Sequence, residues 1–298
     1  MKRRHLLYVL LTAAATLFLA GCKVVVFQPR GYIADREMHL FIDAIVLMLL
    51  VVIPVIILTF IIARRYRASN KKAKYTPNWS HSNILEVGWW LIPIIIIAIL
   101  AVITWRTTHQ LDPYKPLNQK ALHVKNKPIT IQAISLRWRW LFIYPNHKIA
   151  TMNTVVFPVH TPISFRITSD APMNSFQIQQ LAGQIYSMNG MQTKMHLIAN
   201  TQGVYRGRSV SFSGNGFANM RFKAHVVSQE AYDQWIKQAQ HAPTLLTWKL
   251  YKTLSGPTKD TSVHYYKLAD QGLFQQVMHK YMGPQNKQQS HQLSGVGL

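Results

Sequence analysis

Two long stretches of this chain carry no charged side chain. Residues 44–63 read AIVLMLLVVIPVIILTFIIA, and residues 87–105 read VGWWLIPIIIIAILAVITW. At 1.5 Å per helical residue, each run can cross a hydrocarbon core of about 30 Å. A single apolar run in lipid has to satisfy its backbone hydrogen bonds internally, so both are expected to be helices. Each contains one proline, Pro54 and Pro93, which membrane helices tolerate better than soluble ones. Between the runs stand Arg64, Arg65, Arg67, Lys71, Lys72 and Lys74, with no acidic residue before Glu86. Six cations in a short loop predict a cytoplasmic loop, with both outer ends of the hairpin on the opposite side. The spans are expected at about 40–63 and 87–105.

The N-terminus agrees with that orientation. MKRRHLLYVLLTAAATLFLAGC has a basic start, an apolar run and small residues before the cysteine, the pattern of a secretory leader over residues 1–21. Leu19-Ala20-Gly21-Cys22 is similar to the lipobox of bacterial lipoproteins, whose cysteine is lipidated and becomes the first mature residue. Lipid on Cys22 would hold the mature N-terminus at the outer face of a bacterial inner membrane. The alternative is a buried cysteine in a further helix. Cys22 is the only cysteine of the 298 residues, so neither an internal disulfide nor a two-cysteine metal site is open to the chain.

Hydrophobic residues make up 49% of the chain and charged ones 14%, yet the formal net charge is +23. Nucleic-acid binding would require those cations to cluster on one element among aromatics or glycines. They are dispersed instead, which excludes that class. A basic exterior can rest against anionic lipid headgroups.

After the hairpin (22–105, with its N-terminal segment), residues 106–227 read as an external β domain. IQAISLRWRWLFIY alternates through Leu136, Trp138, Trp140 and Phe142, with Arg137 and Arg139 directed the other way; PISFRIT and MRFKAHVV alternate likewise. Period-two patterns between Pro, Gly and Asn breaks predict antiparallel strands in a sandwich or barrel. From Ser228 the pattern becomes helical in SQEAYDQWIKQAQ, with acids early and Lys237 late. Residues 228–282 are expected to form a C-terminal helical arm. The polar tail 283–298 is expected to be disordered.

One stretch has the cadence of a metal loop without the ligands: YRGRSVSFSGNGFANM, residues 205–220. Leader, two-helix hairpin and external β domain together resemble subunit II of the haem-copper respiratory oxidases. That resemblance implies a membrane-anchored all-β fold, with the hairpin followed by a cupredoxin-like β-sandwich and the arm. LEVGWW matches the family's Glu-containing entry to the second span, with Glu86 on the cytoplasmic side. LRWRWLFIYP matches the aromatic strand, placing Trp138 and Trp140 on its tryptophans, and MNSF at 173–176 matches a ligand stretch of the copper-containing members. There the dinuclear copper centre uses two histidines, two bridging cysteines, a methionine and a glutamate carbonyl. Position by position, the first histidine becomes Asn174, the cysteines Ser209 and Ser213, the glutamate Ser211, and the second histidine Phe217. Met220 alone survives. Hydroxyls and a phenyl ring are poor substitutes for thiolate and imidazole, so no metal is expected here.

The dinuclear centre is where cytochrome c delivers electrons. Its loss implies the quinol branch, the cytochrome bo-type ubiquinol oxidases. There, haems, copper and ubiquinol belong to the partner catalytic subunit I, which assembles with further membrane subunits. Residues 105–298 hold twenty-one Lys and Arg against six Asp and Glu, a formal balance of +15, which would repel a basic cytochrome c.

Glu86 is the candidate for chemistry. A carboxylate at the end of a membrane helix is costly unless hydrated or partnered, and in the family this position lies at the mouth of a proton-uptake path. The plain alternative is a helix-start acid stabilised by the dipole. Trp138 and Trp140 are expected to pack rather than to relay electrons. Met188, Met191, Met195 and His196 suggest a methionine-lined core rather than a Cu(I) site. A stand-alone cupredoxin-like lipoprotein, as copper carrier or structural anchor, is the rival reading. It would need either ligands or a reason for two spans and Glu86.

Overall fold

Both apolar runs are helices that outlast their apolar middles. α1 spans Tyr32–Arg65 and α2 spans Asn83–Gln110. The computed structural model describes residues 24–74, 76–117 and 126–282. The leader 1–21, Cys22 and the tail 283–298 lie outside the described residues. The outer turns of α1 add Asp35, Arg36, Glu37 and His39 ahead of the apolar stretch. A helix need not stop at the lipid boundary, because its backbone groups stay paired beyond it. Arg64 and Arg65 close the last turn of α1, where cations oppose the negative end of the helix dipole. Apolar side chains along both helices are exposed, as spans facing lipid or neighbouring subunits require.

The β domain is a two-sheet sandwich. One sheet has seven strands: β1 Ile129–Ser135, β2 Trp140–Tyr144, β3 Ile149–Met152, β5 Ile163–Ser169, β8 Thr193–Leu197, β11 Leu245–Leu246 and β12 His264–Leu268. Their order is β11-β12-β3-β2-β1-β5-β8. The other comprises β4 Thr154–Pro158, β6 Asn174–Ile178, β7 Ala182–Ser187, β9 Gly203–Arg208 and β10 Arg221–Val227. It is ordered β4-β10-β9-β6-β7. Phe142, Phe165, Phe176 and Phe222 fill the space between the sheets, with the Phe176 and Phe222 rings stacked 5.1 Å apart. Tyr144 ties the sheets by donating to Val156 O at 3.0 Å and accepting from Val156 N at 2.8 Å.

The structure corrects several sequence expectations. The strands are not all antiparallel, because β1 pairs parallel with β5 and β4 parallel with β10, as strands joined by crossovers can. IQAISLRWRWLFIY is a hairpin of β1 and β2, with Ser135 opposite Trp140 and Leu136 N donating to Arg139 O at 2.9 Å. No Gly, Pro or Asn marks this turn, so period-two counting ran through it. The turn places Trp138 at φ +69°. It also buries Arg139, expected outward beside Arg137; its Nη2 donates to Leu254 O at 2.5 Å.

β2 is buried along its whole length because both faces are covered. Trp140 and Phe142 face the sandwich interior, whereas Leu141 and Ile143 face a second core. That second core is the work of the C-terminal arm, which is only partly helical. After α3 Gln229–Gln240, capped where Ser228 Oγ accepts from Ala231 N at 3.2 Å, come α4 Trp248–Leu254 and α5 Leu273–His279. β12 pairs antiparallel with β3, and β11 parallel with β12, so the arm extends the sheet as well as roofing it. Tyr251, Phe274 and Val277 supply the roof. The helical pattern of α3 was legible; β12 was not, because HYYKL is too short for its period to separate from a helix turn.

A buried carboxylate locks the arm down. Asp170 follows β5, its side chain is wholly buried, and it accepts from Tyr251 Oη at 2.7 Å, Lys280 Nζ at 2.7 Å and Tyr281 Oη at 2.5 Å. Burial, then the Asp170 charge, pushes the Tyr251 phenol far above its ordinary value. Burial alone would lower the Lys280 ammonium, but Asp170 outweighs it and holds Lys280 high.

Asp170→Ala should strip three donors of their acceptor and lower stability by about 1.5–3 kcal/mol, read by denaturant unfolding, with residues 270–282 becoming the first to exchange amide hydrogens. Both shifted groups hold their protons more tightly folded than unfolded. Their contribution is therefore complete below about pH 10 and is lost as pH rises through the folded values. Amide exchange in the arm should accelerate at alkaline pH before the rest of the sandwich, and Asp170→Ala should abolish that difference.

Candidate functional site

The sixteen-residue stretch 205–220 runs from within β9 to the residue just before β10. Ser209 N donates to Met220 O at 3.1 Å, closing a loop whose last turn is a short 3-10 helix at Phe217–Asn219. Trp138 reaches into this loop from the β1–β2 turn. Its Nε1 donates to Ser213 O at 3.0 Å, and its ring lies against Gly214 (φ +107°) and Gly216. A Cβ at Gly216 would fall within the indole ring, so glycine is required there for close approach.

The positions that correspond to metal ligands are engaged with one another. Ser209 is buried; its Oγ donates to Asn174 Oδ1 at 3.1 Å, with Ser211 O a further acceptor at 3.3 Å, and accepts from Ser175 N at 3.4 Å. Asn174 Nδ2 donates to Pro172 O at 2.7 Å, and Ser175 Oγ accepts from Val210 N at 2.8 Å. Behind them Ser135 Oγ donates to Ser169 Oγ at 2.8 Å, and Ser187 Oγ donates to Thr168 O at 2.7 Å. Ser213 does not join this network, and its buried Oγ has no hydrogen-bond partner among the described residues. Phe217 turns to the exposed Phe212, ring centres 5.6 Å apart, and Met220 is buried in the sandwich core.

This set does not fit copper. Its oxygens are neutral hydroxyls and an amide, hard donors of which Ser209 and Asn174 are already committed to hydrogen bonds, and no thiolate or imidazole stands among them. The electrostatics oppose it too. Across β9 and β10, Arg206 sits opposite Lys223 and Arg208 opposite Arg221, two like-charge pairs beside the loop. Among the described residues, no group of three His, Cys, Asp or Glu side chains is placed to hold a metal ion.

Trp140 is fully buried against Phe176 and Phe222, at 5.2 and 5.8 Å between ring centres. Met195 joins the same core, but Met191 is half exposed, so the methionine run lines the core only in part. Glu86 stands in the first turn of α2, its N–H donating to Ser82 O at 2.9 Å and its side chain exposed between Leu85 and Val87. The structure brings Asn174, Ser209, Ser211, Ser213 and Trp138 together at one end of the sandwich. Glu86 lies apart, at the end of α2 away from the β domain. Sequence reasoning did not reach Ser135, Ser169, Ser175 and Ser187; the only signal was a serine ending three strands, at 135, 169 and 187, while Ser175 near the start of β6 carried none.

Comparison with known proteins matches the whole arrangement. A family model described as COX Aromatic Rich Motif matches residues 240–285, the arm that roofs the second core. Cytochrome bo(3) ubiquinol oxidase subunit 2 of Pseudomonas aeruginosa is 48% identical over 271 residues, covering 91% of this chain and 80% of that protein. The protein of the same name from Pseudomonas putida is 46% identical, covering 99% of this chain and 92% of its own length. The chain belongs to the ubiquinol oxidase subunit 2 family. Ubiquinol oxidase subunit 2 of Acetobacter aceti is 42% identical over 90% of the chain and 86% of its own. In this chain the loop keeps the fold of its end of the sandwich through hydrogen bonds and the Trp138 contact.

Gly216→Ala should force the Trp138 ring out of the loop and cost roughly 1–3 kcal/mol, the usual penalty of overpacking. Thermal unfolding of the purified protein would show the loss, accompanied by a red shift of tryptophan emission as Trp138 meets water.

Proposed function

We propose that this chain is the non-redox second subunit of a quinol-oxidising, oxygen-reducing, proton-pumping terminal oxidase in a bacterial inner membrane. The observation that carries the reading is the pairing of Asn174 with the loop at 209–220, where asparagine, serine and phenylalanine occupy every position but one that could ligate copper. An oxidase subunit II of this composition offers cytochrome c no entry for electrons. Quinol, dissolved in the bilayer, reaches the catalytic subunit without crossing the external domain. The balance of +15 over residues 105–298 supports the same choice, since a basic surface repels a basic donor. On this reading the chain binds no cofactor itself. Haems, copper and the quinol site belong to subunit I, which α1 and α2 adjoin together with the further membrane subunits.

Cys22 carries lipid, both termini lie in the periplasm, and the basic loop at 64–74 lies in the cytoplasm. The chain's contributions are assembly, an external cap and one carboxylate. At the cytoplasmic start of α2, Glu86 takes up a proton from water and holds it at the mouth of a path into subunit I. Its exposure in the single chain suits a group that partner residues and water surround in the complex. The match of both spans and of Glu86 to the family favours this reading over a stand-alone lipoprotein, which would need neither.

Oxygen consumption by the complex, isolated through a tag on this chain, is expected with a reduced ubiquinone analogue and not with reduced cytochrome c. Turnover with cytochrome c would overturn the donor assignment. Glu86→Ala is expected to assemble with full haem content but to turn over quinol at least several-fold more slowly. Unchanged turnover in the assembled variant would remove Glu86 from the proton path.

A further inference from the structure

A cavity of about 450 Å³ opens where the outer ends of the two spans meet the β domain. That volume is in the range of small-ligand sites. Its charged lining comes from two helix ends: Arg36 and Glu37 from the second turn of α1, Asp112 and Lys115 from the turn that follows α2. The Asp112–Lys115 turn is fixed by Lys115 N donating to Asp112 O at 3.0 Å. Glu37 lies against the backbone of Gly183, where an added Cβ would stand 2.5 Å from its Oε1. Arg36 leans over the Tyr32 ring, 5.5 Å from its centre. Among the described residues, none of these four charges is ion-paired. Two cations and two carboxylates share one cavity and leave one another free.

Depth fixes what can enter. The uncharged run of α2 ends at Trp105, and tryptophan sits at the membrane–water boundary. Asp112 follows a few residues later, within about 10 Å along the helix direction, and so lies at headgroup level. Below the cavity, an apolar groove of about 480 Å³ runs along α2 past Ile97, Ala101, Thr104 and Thr108. These positions share one helix face with Leu111, and Leu111 lines the cavity above. An acyl chain in the groove would deliver its headgroup into the cavity.

We propose that this cavity and groove bind a zwitterionic aminophospholipid, its phosphate between Arg36 and Lys115 and its ammonium at Glu37 and Asp112. Charge decides between lipid classes. An anionic headgroup would gain the two cations but meet two carboxylates with nothing to offer them. An ethanolamine headgroup satisfies both signs at once. The site lies on the outer side of the membrane, away from Glu86 and apart from the loop at 209–220. It rests on the membrane placement of α1 and α2.

The test uses the complex purified through a tag on this chain, stripped of lipid by detergent exchange. Dioleoyl-phosphatidylethanolamine or dioleoyl-phosphatidylglycerol is then added, and bound lipid is read by native mass spectrometry. One ethanolamine lipid per chain should be retained at least about tenfold more tightly than the glycerol lipid, a difference of about 1.4 kcal/mol. Arg36→Glu with Lys115→Glu should abolish the preference. Glu37→Lys with Asp112→Lys should reverse it toward phosphatidylglycerol, a gain that a misfolded variant cannot produce. Equal retention of both lipids by the unaltered complex, or a preference that survives both double variants, would overturn the proposal. So would displacement by an equal concentration of glycerophosphoethanolamine, which lacks acyl chains and would identify a soluble phosphoester as the ligand. Failure to retain any lipid in the assembled complex would likewise overturn the proposal, a partner subunit then covering the groove. Recovery of the chain in the soluble fraction would instead overturn the membrane reading beneath it.

Discussion

Everything outside the membrane hangs from a short backbone seam. Just before α1, Arg30 N and Gly31 N both donate to Gln180 O, at 2.7 and 3.0 Å, and Tyr32 N donates to Ile198 O at 3.2 Å. Asn200 N returns a bond to Arg30 O at 2.7 Å. Gly31 is buried in this crossing, and a Cβ there would stand 2.5 Å from Leu181 O, so no other residue lets the strands approach. A tether of flexible side chains would let the sandwich tumble over the bilayer. Main-chain bonds in register do not, and the first span therefore enters the membrane at a direction set by the β domain. Leu111 and Leu117, beyond the second span, pack against the sandwich core and brace the other side of the hairpin.

The same economy of rigid contacts governs the far face of the sandwich. A two-sheet sandwich normally leaves the outer face of each sheet to water. Here Leu141 and Ile143 on β2 would expose apolar surface there, and the C-terminal arm removes it. Covering a sheet with a segment distant in sequence costs chain entropy, which local packing alone would only partly offset. Asp170 supplies the remainder by gathering Tyr251, Lys280 and Tyr281 on one carboxylate. The apolar strand, the roof and the buried acid are one device, and none is explicable without the others.

How much of this was readable from residues alone depended on the range of the signal. The spans announced themselves, because twenty uncharged residues have few destinations. β10 was visible from its alternation in MRFKAHVV, and the helix at 229–240 from its Ser228 cap. Signals failed where tertiary contacts overrode local pattern. The turn at Trp138 holds a left-handed backbone without glycine, sustained by the indole's contacts with a loop about 75 residues later. Arg139 looks solvent-bound in any window, yet is buried under the arm. The substituted loop was legible residue by residue, but the way Ser209 bonds to Asn174 and Ser175, with Ser135, Ser169 and Ser187 joined behind them, was not. Sequence spacing carries no trace of which hydroxyls meet across strands.

The serine loop, with Asn174 beside it, has a consequence for how the subunit is made. A cysteine-lined copper site in an oxidising compartment must be kept reduced, spared from disulfide formation, and then supplied with metal before it takes its final shape. With Cys22 as the only cysteine of the chain, this domain has no thiols to protect. Its loop closes on internal hydrogen bonds when β9 and β10 meet. On the function proposed above, maturation of the external domain is uncoupled from the cell's supply of copper and from its thiol-reducing machinery, leaving chain folding alone to set its pace.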